Sequence, residues 1–595
     1  MGLGIPAVSE SYQPTVVVAS ADATPAMKRA ADYVCTGTND QVTIQAAIDF
    51  LEGEISDIGG GTVYLTPGYY DMQIGAASEQ LHGNDDLKGY GTARVDSGRC
   101  HLQPPAADYA KISVGDVILV RSAALVANDS WGFFRVESKI DAHDAIPNEV
   151  ELYSPIYSDY TVDWMRPSWS ISLPKGISLE GAGKLVTIMR IPAPVPAGEQ
   201  SLHSCVFLEA PEASTGFQEL RKLSIQGGYN PSVLGSYGTN PDTDAIEESA
   251  WTSNGVLTSA SYDAFIRDCE IRYFKGVGLV NTQGWGFQMS GGWIEDCEID
   301  VYHTDGGHYT NVKIQQANRH AILTNGVKVT APSFNNCEIQ DQTAGQSVIK
   351  LVNMRYGVRF NNCELRFTAN NTTMFEIASS NGLSGAVGVM VDNATINVDG
   401  CTGNILFNTD ERVKGGRLTG QIVGVEGVVS APKLFNGSDF YDYFMGFHVD
   451  ISMANAEMLS TESCASQYGR SQSAINSSGG NWTTADYGQA LVWDTGTLDG
   501  VVKSSATNAP NFAGVISRFA WNNGKRGNMY VAGPAPLYVD ATTAIVIGDM
   551  LKVSSTAGAF EKADASGDVV VARALEAKAS GTGVVKGELI TPRPV

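Results

Sequence analysis

The sequence predicts an all-β chain built around a solenoid, and three observations point there. Only 17% of the 595 residues are charged while glycine supplies 64, a balance that suits short strands and tight turns over helical bundles. A seven-residue phrase recurs as Ile266 to Arg272, Ile294 to Asp300, Phe334 to Gln340 and Phe360 to Arg366. Its cysteines fall 28, 40 and 26 residues apart, inside the about 20–45-residue period of stacked repeats. Hydrophobic residues at 43% are enough to fill a long core.

The elements follow in order. Residues 15–20 read as a strand. Thr38 or Asn39 caps a helix whose positive end suits Asp40. Val42, Ile44, Ala47, Ile48 and Leu51 recur near helical spacing and give it one apolar face. Gly59 to Gly61 then turn the chain into a strand that ends at Pro67 and Gly68.

The run from Asn39 to Tyr70, with its acidic start, capping helix and GGGTVYLTPGYY phrase, resembles the opening of pectate-lyase-superfamily β-helices. That resemblance implies a right-handed parallel β-helix whose first helix plugs the open end. The physics agrees, because a solenoid ends in an unpaired strand edge that a helix can cover. In such proteins a segment like Ile171 to Lys184 follows soon after; here about 100 residues intervene. Strand-like runs at Ile112 to Val120, Trp131 to Val136 and Glu149 to Tyr153 mark this as an inserted small β-barrel or sandwich. Residues 481–595 change character again. Gly527 to Pro534, Gly548 to Val553 and Ala572 to Ala577 resemble small β-barrel decoration or accessory domains of phage capsids. The expected organisation is 1–72, N-terminal cap and first rungs; 73–168, inserted β-domain; 169–450, β-helix shaft; 451–480, linker; and 481–595, a C-terminal β-domain for particle attachment or trimerisation.

Within the repeat, Cys and the following Ile or Leu are two apart and share one face of a strand. Cys269, Cys297, Cys337 and Cys363 are therefore expected to stack inside as small hydrophobes. Glu270, Glu298, Glu338 and Glu364 are expected outside and in register, with Arg272, Arg366 and Lys313 to neutralise them. Asn311 to Ile314 reads as a degenerate copy. Glu298 with Asp300 is the least compensated level, which makes them the candidate catalytic pair: a glycosidase needs one carboxyl as acid and another as base or nucleophile. The plain alternative is a solvated, ion-paired face. Asn335, Asn336, Asn361 and Asn362 suit amide ladders at solenoid turns. Tyr157, Tyr160, Trp164 and Trp169 are the candidate glycan-binding aromatics, since aromatic faces stack on sugar rings.

Other classes are set aside. A net charge of −24 repels nucleic acid. Nine cysteines without a CxxC pair fit neither a disulfide framework nor a zinc site, and suit assembly in a reducing cytoplasm. Residues Met1 to Pro6 show no secretion or myristoylation signal, and no apolar run spans a membrane. No nucleotide loop, nucleophile elbow or HExxH is present. The acidic loop Asp242 to Glu248 lacks EF-hand order, and His303, His308 and His320 make a poor metal set. No cofactor and no metal are expected.

Two readings remain. The first is a bacteriophage virion structural protein, a homotrimeric spike or decoration protein on the head. It meets other virion proteins through its C-terminal domain, adheres to host surface polysaccharide, and is released by lysis after assembly in the host cytoplasm. The second is a tailspike depolymerase of capsule or lipopolysaccharide. A free secreted lyase is disfavoured by the missing signal and the odd cysteine count.

Overall fold

The computed structural model describes residues 14–594 apart from 56–59, 73–87, 97–98, 105–108, 111, 115, 122–131, 144–145, 153–159, 166–167, 192–202, 209–217, 228–252, 259–263, 275, 283–285, 305, 326–331, 342–343, 353–356, 379–385, 388, 399, 410–412, 425–432, 436–443, 446–447, 454–455, 461–469, 498–499, 506–510, 517–522, 525 and 542–543. Two compact units divide the chain: Met1–Glu411 with Gly416–Asn436, and Arg412–Gly415 with Gly437–Val595.

The first unit is a parallel β-helix. One rung runs Ala264–Arg267, turns at Asp268, continues as Glu270–Arg272, turns at Tyr273, and crosses as Val277–Asn281. The next rung repeats this as Gln288–Ser290, Trp293–Glu295 and Ile299–His303, each strand pairing parallel with its predecessor. The crossing strands form a ten-stranded parallel sheet from Ser168–Leu173 to Lys433–Phe435. Inside, Ile225, Ile271, Ile294, Ile314, Ile339, Leu365 and Ile396 stack rung upon rung. All seven are fully buried. A second inward column stacks Tyr309 on Phe334 at 4.7 Å and Phe334 on Phe360 at 5.0 Å between ring centroids.

The first corner of each rung needs a left-handed residue. Lys222, Asp268, Gly291, Asn311, Asn336, Asn362 and Asn393 hold φ between 52° and 66° there. Asp and Asn tolerate this conformation better than most residues, which explains their recurrence before the cysteine. The Asn335–Asn361 ladder forms as expected, Asn361 Nδ2 donating to Asn335 Oδ1 at 2.7 Å, and Asn362 Oδ1 accepts from Asn393 Nδ2 of the following rung at 2.9 Å.

One expectation about register is corrected. Ile271 pairs with Ile294, not with Ile299. The phrase Ile294 to Asp300 is shifted along its rung, so Asp296 and Cys297 turn the second corner and not the first. Cys269, Cys337 and Cys363 share the first corner, with Gly292, Val312 and Ala394 as their counterparts in the other rungs. All four repeat cysteines are buried. Both corners take a left-handed residue followed by a buried side chain, as at Asp268-Cys269 and Asn336-Cys337 in the first and Tyr273-Phe274 and Asp296-Cys297 in the second, so the phrase fits either.

The N-terminal cap uses the expected helix, Asp40–Ile55. Ile44, Ala47, Ile48 and Leu51 are buried, but Val42 faces outward at 48% exposure. Asp40 is buried and its carboxylate accepts from the amides of Thr36, Gly37 and Asp71, tying the helix to the first rung. Gln45 extends the sheet edge: its Oε1 accepts from Ser172 N at 2.9 Å and its Nε2 donates to Ser172 O at 3.2 Å. Strand Gly61–Leu65 pairs directly with Ile177–Gly181, so the residues between leave the helix and return to it. Among them six strands, from Lys88–Asp96 to Tyr160–Met165, close into a barrel.

The second unit holds a nine-stranded sheet from Arg470–Asn476 to Gly581–Pro594. Its long strand Arg526–Ala541 pairs antiparallel with both of these. Two cores lie along it, one around Trp482, Leu491 and Met529, the other around Leu537, Phe560 and Leu589. Strands His448–Met453, Ala456–Ser460 and Arg470–Asn476 occupy much of the stretch read as a linker. Among the described residues, no helix is long and apolar enough to cross a membrane.

Gln45→Ala leaves both Ser172 backbone groups without the side chain that now pairs them. Loss of stability by about 1–3 kcal/mol is expected, with increased self-association through the bared edge. Urea denaturation and light scattering of the variant measure both.

Candidate functional site

The register defines two outward rows on one lateral face. The first holds Tyr69, Ile188, Ser224, Glu270, Trp293, Lys313, Glu338 and Glu364. Two residues further on, the second holds Asp71, Arg190, Gln226, Arg272, Glu295, Gln315, Gln340 and Arg366. Glu298 is absent from this face because of the shift described above; Trp293 and Lys313 stand between Glu270 and Glu338.

A chain of polar contacts runs along the face. Ser224 Oγ donates to Glu270 Oε2 at 2.6 Å. Arg272 Nη1 lies 3.2 Å from Glu270 Oε1 and 3.5 Å from Glu295 Oε1. Gln315 Nε2 donates to Glu295 Oε2 at 2.7 Å, and Gln340 Nε2 to Gln315 Oε1 at 3.4 Å. Lys313 meets Glu338 at 2.8 Å, and Arg366 meets Glu364 at 2.9 Å. Like charges stacked about 4.8 Å apart repel; here a cation or an amide stands beside each carboxylate of the two rows, as the sequence led us to expect for Arg272, Arg366 and Lys313. Glu270 is fully buried, so losing Arg272 would leave a buried charge unpaired.

Aromatic rings interrupt the polar rows. Lys184 Nζ sits 4.6 Å from the centre of the Trp293 ring, Arg272 lies 4.7 Å over Tyr273, and Arg190 lies 4.3 Å over Tyr69. Tyr69 is 45% exposed, and Trp293 and Tyr273 are half-buried. Beside Tyr273, at the second corner, stands Asp296. Burial and then the neighbouring Glu295 push its carboxyl up to about 6, against the pull of Arg272. Burial also raises the Tyr273 hydroxyl, Arg272 opposing it and Asp296, Glu295 and Glu270 adding to it. These residues form one electrostatic cluster.

The residues singled out from sequence are placed as follows. Glu298 is half-buried just beyond the second corner. Asp300, expected on the outside, is fully buried in strand Ile299–His303, and its Oδ1 accepts from Cys297 N at 3.3 Å. The shifted phrase is the reason: its last residues form a crossing strand instead of an outward row. The neighbouring crossing strand approaches closely, and a Cβ on Gly278 would lie 2.8 Å from Asp300 O and 3.1 Å from Cys297 Sγ. Tyr157 lies outside the described residues, as does the loop Asp242 to Glu248. Tyr160 and Trp164 belong to barrel strand Tyr160–Met165, with side chains outside the description. Trp169 is in the first crossing strand, where its ring packs against Phe207 at a 33° tilt with centroids 4.3 Å apart. His303, His308 and His320 each take a different partner: Asn281, Ser333 and Ser347. No cluster of metal-ligating side chains occurs among the described residues.

Sequence reasoning missed Trp293, Tyr273, Glu295 and Asp296. The signal was present in Gly291-Gly-Trp-Ile, which has a corner residue, a small inward residue, an outward residue and the stacking isoleucine. Glycine replaces cysteine there because a Cβ at Gly292 would collide with the Cys269 carbonyl.

No protein-family profile matches the sequence, and no curated protein matches it. Three solved structures similar to the chain are viral. The N-terminal base of the phage phi29 head fibre gp8.5 is 18% identical, covers 20% of this chain and 93% of its own, and has a TM-score of 0.16. ORF18 of Geobacillus virus E2 is 12% identical over 89% of this chain and 84% of its own, at a TM-score of 0.38. Tailspike gp49 of Acinetobacter baumannii phage Fri1, a capsular polysaccharide depolymerase, is 11% identical over 97% of this chain and 86% of its own, at 0.35.

A raised carboxyl pKa has a definite consequence. The folded chain holds the Asp296 proton more tightly than the unfolded chain, so this group's contribution to stability is present at low pH. It is lost as pH rises from about 4 to about 6. The stability of the wild type minus that of Asp296→Asn is therefore expected to fall across that window. Paired denaturation curves at stepped pH check this, and a flat difference contradicts it.

Proposed function

We propose that the chain is a bacteriophage virion spike whose β-helix holds host surface polysaccharide along the lateral face centred on Trp293. The observation that carries this reading is the alignment of one exposed and two half-buried rings with rows of amide, guanidinium and carboxylate groups on the β-helix face. Rings present apolar faces to sugars, and the polar rows offer donors and acceptors at every rung, about 4.8 Å apart. A polymer laid along the axis meets the same kinds of partner repeatedly, so modest contacts sum by multivalency. Virion attachment through the C-terminal β unit rests on the resemblance of 481–595 to capsid accessory domains. A head location and a homotrimer belong to the same proposal, since parallel shafts would bury outward apolar surface against one another.

A second reading, polysaccharide cleavage, is favoured by Asp296. A carboxyl raised to about 6 beside a second carboxylate is how a general acid and its partner are set apart. On this reading Asp296 donates the proton to the leaving oxygen. Glu295, held by Arg272 and Gln315, is the base that takes a proton from a water whose oxygen bonds to the anomeric carbon as the protonated leaving oxygen departs. Glu298 and Asp300 remain the pair proposed from the repeat itself.

Trp293→Ala is expected to weaken binding of the host polysaccharide at least tenfold, about 1.4 kcal/mol, with the thermal transition little changed. Unaltered affinity contradicts the face assignment. If the chain cleaves its glycan, Asp296→Asn abolishes turnover while Glu298→Gln with Asp300→Asn leaves it; the reverse pattern restores the repeat pair. Light scattering at micromolar concentration is expected to give three chains per particle, and a stable monomer removes the trimer. Gold-labelled antibody fragments against 481–595 distinguish head from tail in electron micrographs of virions.

A further inference from the structure

The charge pattern of this face selects among polysaccharides, an inference that rests on the glycan reading above. Arg190 is paired with Asp71 at 2.5 Å. Arg272 lies between Glu270 and Glu295. Lys313 is paired with Glu338, and Arg366 with Glu364 and, at 3.8 Å, with Glu338. Lys184 is placed over the Trp293 ring. Among the described residues, each cation of the two rows already faces a carboxylate of the protein. Asp296 adds a further carboxylate beside Glu295. With Asp296 and Lys184, which flank the rows, five cations stand against six carboxylates.

We propose that this face accepts neutral or amino-bearing polysaccharide and rejects polymers rich in uronate, sialate or sulfate. An acidic sugar brought to Trp293 meets Lys184 over the ring, has to displace a carboxylate to reach any cation of the rows, and faces Glu295 and Asp296, where like charges repel. Hydroxyl and acetamido groups meet no such barrier. They exchange hydrogen bonds with Gln315 and with the half-buried carboxylates of Glu338 and Glu364. An ammonium group adds attraction to the carboxylates in excess. Such rejection is specificity through repulsion, in addition to specificity through fit.

The test is a glycan array probed with the intact chain and with Trp293→Ala in parallel, at physiological salt. Gln315→Ala replaces the variant if circular dichroism shows that Trp293→Ala misfolds. Glycans whose signal drops in the variant are ligands of this face. The expected ligands lack acidic groups, and Asp296→Asn raises the signal of acidic homologues at least tenfold relative to neutral ones. Variant-sensitive ligands that are mostly acidic overturn the charge inference and leave the glycan face standing. An array on which no ligand responds to either variant overturns the face itself, and with it this inference.

Discussion

Each outward position on the solenoid depends on one constraint: the inward isoleucine of a rung must sit on that of the rung before. The column from Ile225 to Ile396 is fully buried, and each member is in register across a parallel ladder. Because side chains alternate along a strand, fixing Ile294 over Ile271 also fixes Trp293 beside Glu270 and Glu295 beside Arg272. Slipping one rung by a single residue would turn its inward side chains to solvent. The corner residues make the register possible. Asp268, Asn311, Asn336 and Asn362 adopt the left-handed conformation that lets the next strand start at the correct height.

Much of this was legible in the sequence. The capping helix, the strand after it, the inserted β-domain and the buried cysteines all follow from local patterns. Asn311 was readable as a corner and Lys313 as a member of the outward row. Register was the harder part. The phrase at Ile294 to Asp300 matches its siblings at every class of residue yet turns a different corner, because both corners take a left-handed residue followed by a buried side chain. Only the long-range pairing of Ile271 with Ile294 separates the alternatives. The candidate pair moved with the register: Asp300 went from an outward row to a buried crossing strand. The helix pattern failed at Val42 for a different reason. At about 100° per residue it lies on the opposite side of the helix from Ile44 and Leu51, so its apolar side chain stays in water.

The face that results combines order with a local electrostatic imbalance. Most carboxylates on it are matched by guanidinium, ammonium or amide groups, which is what a stable stack of like residues requires. Asp296 departs from that rule, and its proton is retained toward neutral pH as a consequence. Groups so perturbed concentrate where proteins bind or react. The aromatic rings at Tyr69, Tyr273 and Trp293 lie on the same side, each beneath a cation that orders it.

The most direct measurement is a crystal structure of the full chain with a fragment of a candidate host polysaccharide. The account predicts sugar density running parallel to the helix axis, with one ring against Trp293 and its neighbours within hydrogen-bond reach of Gln315. Sugar density confined to the inserted barrel, or to the second unit with the Trp293 face bare, would contradict it.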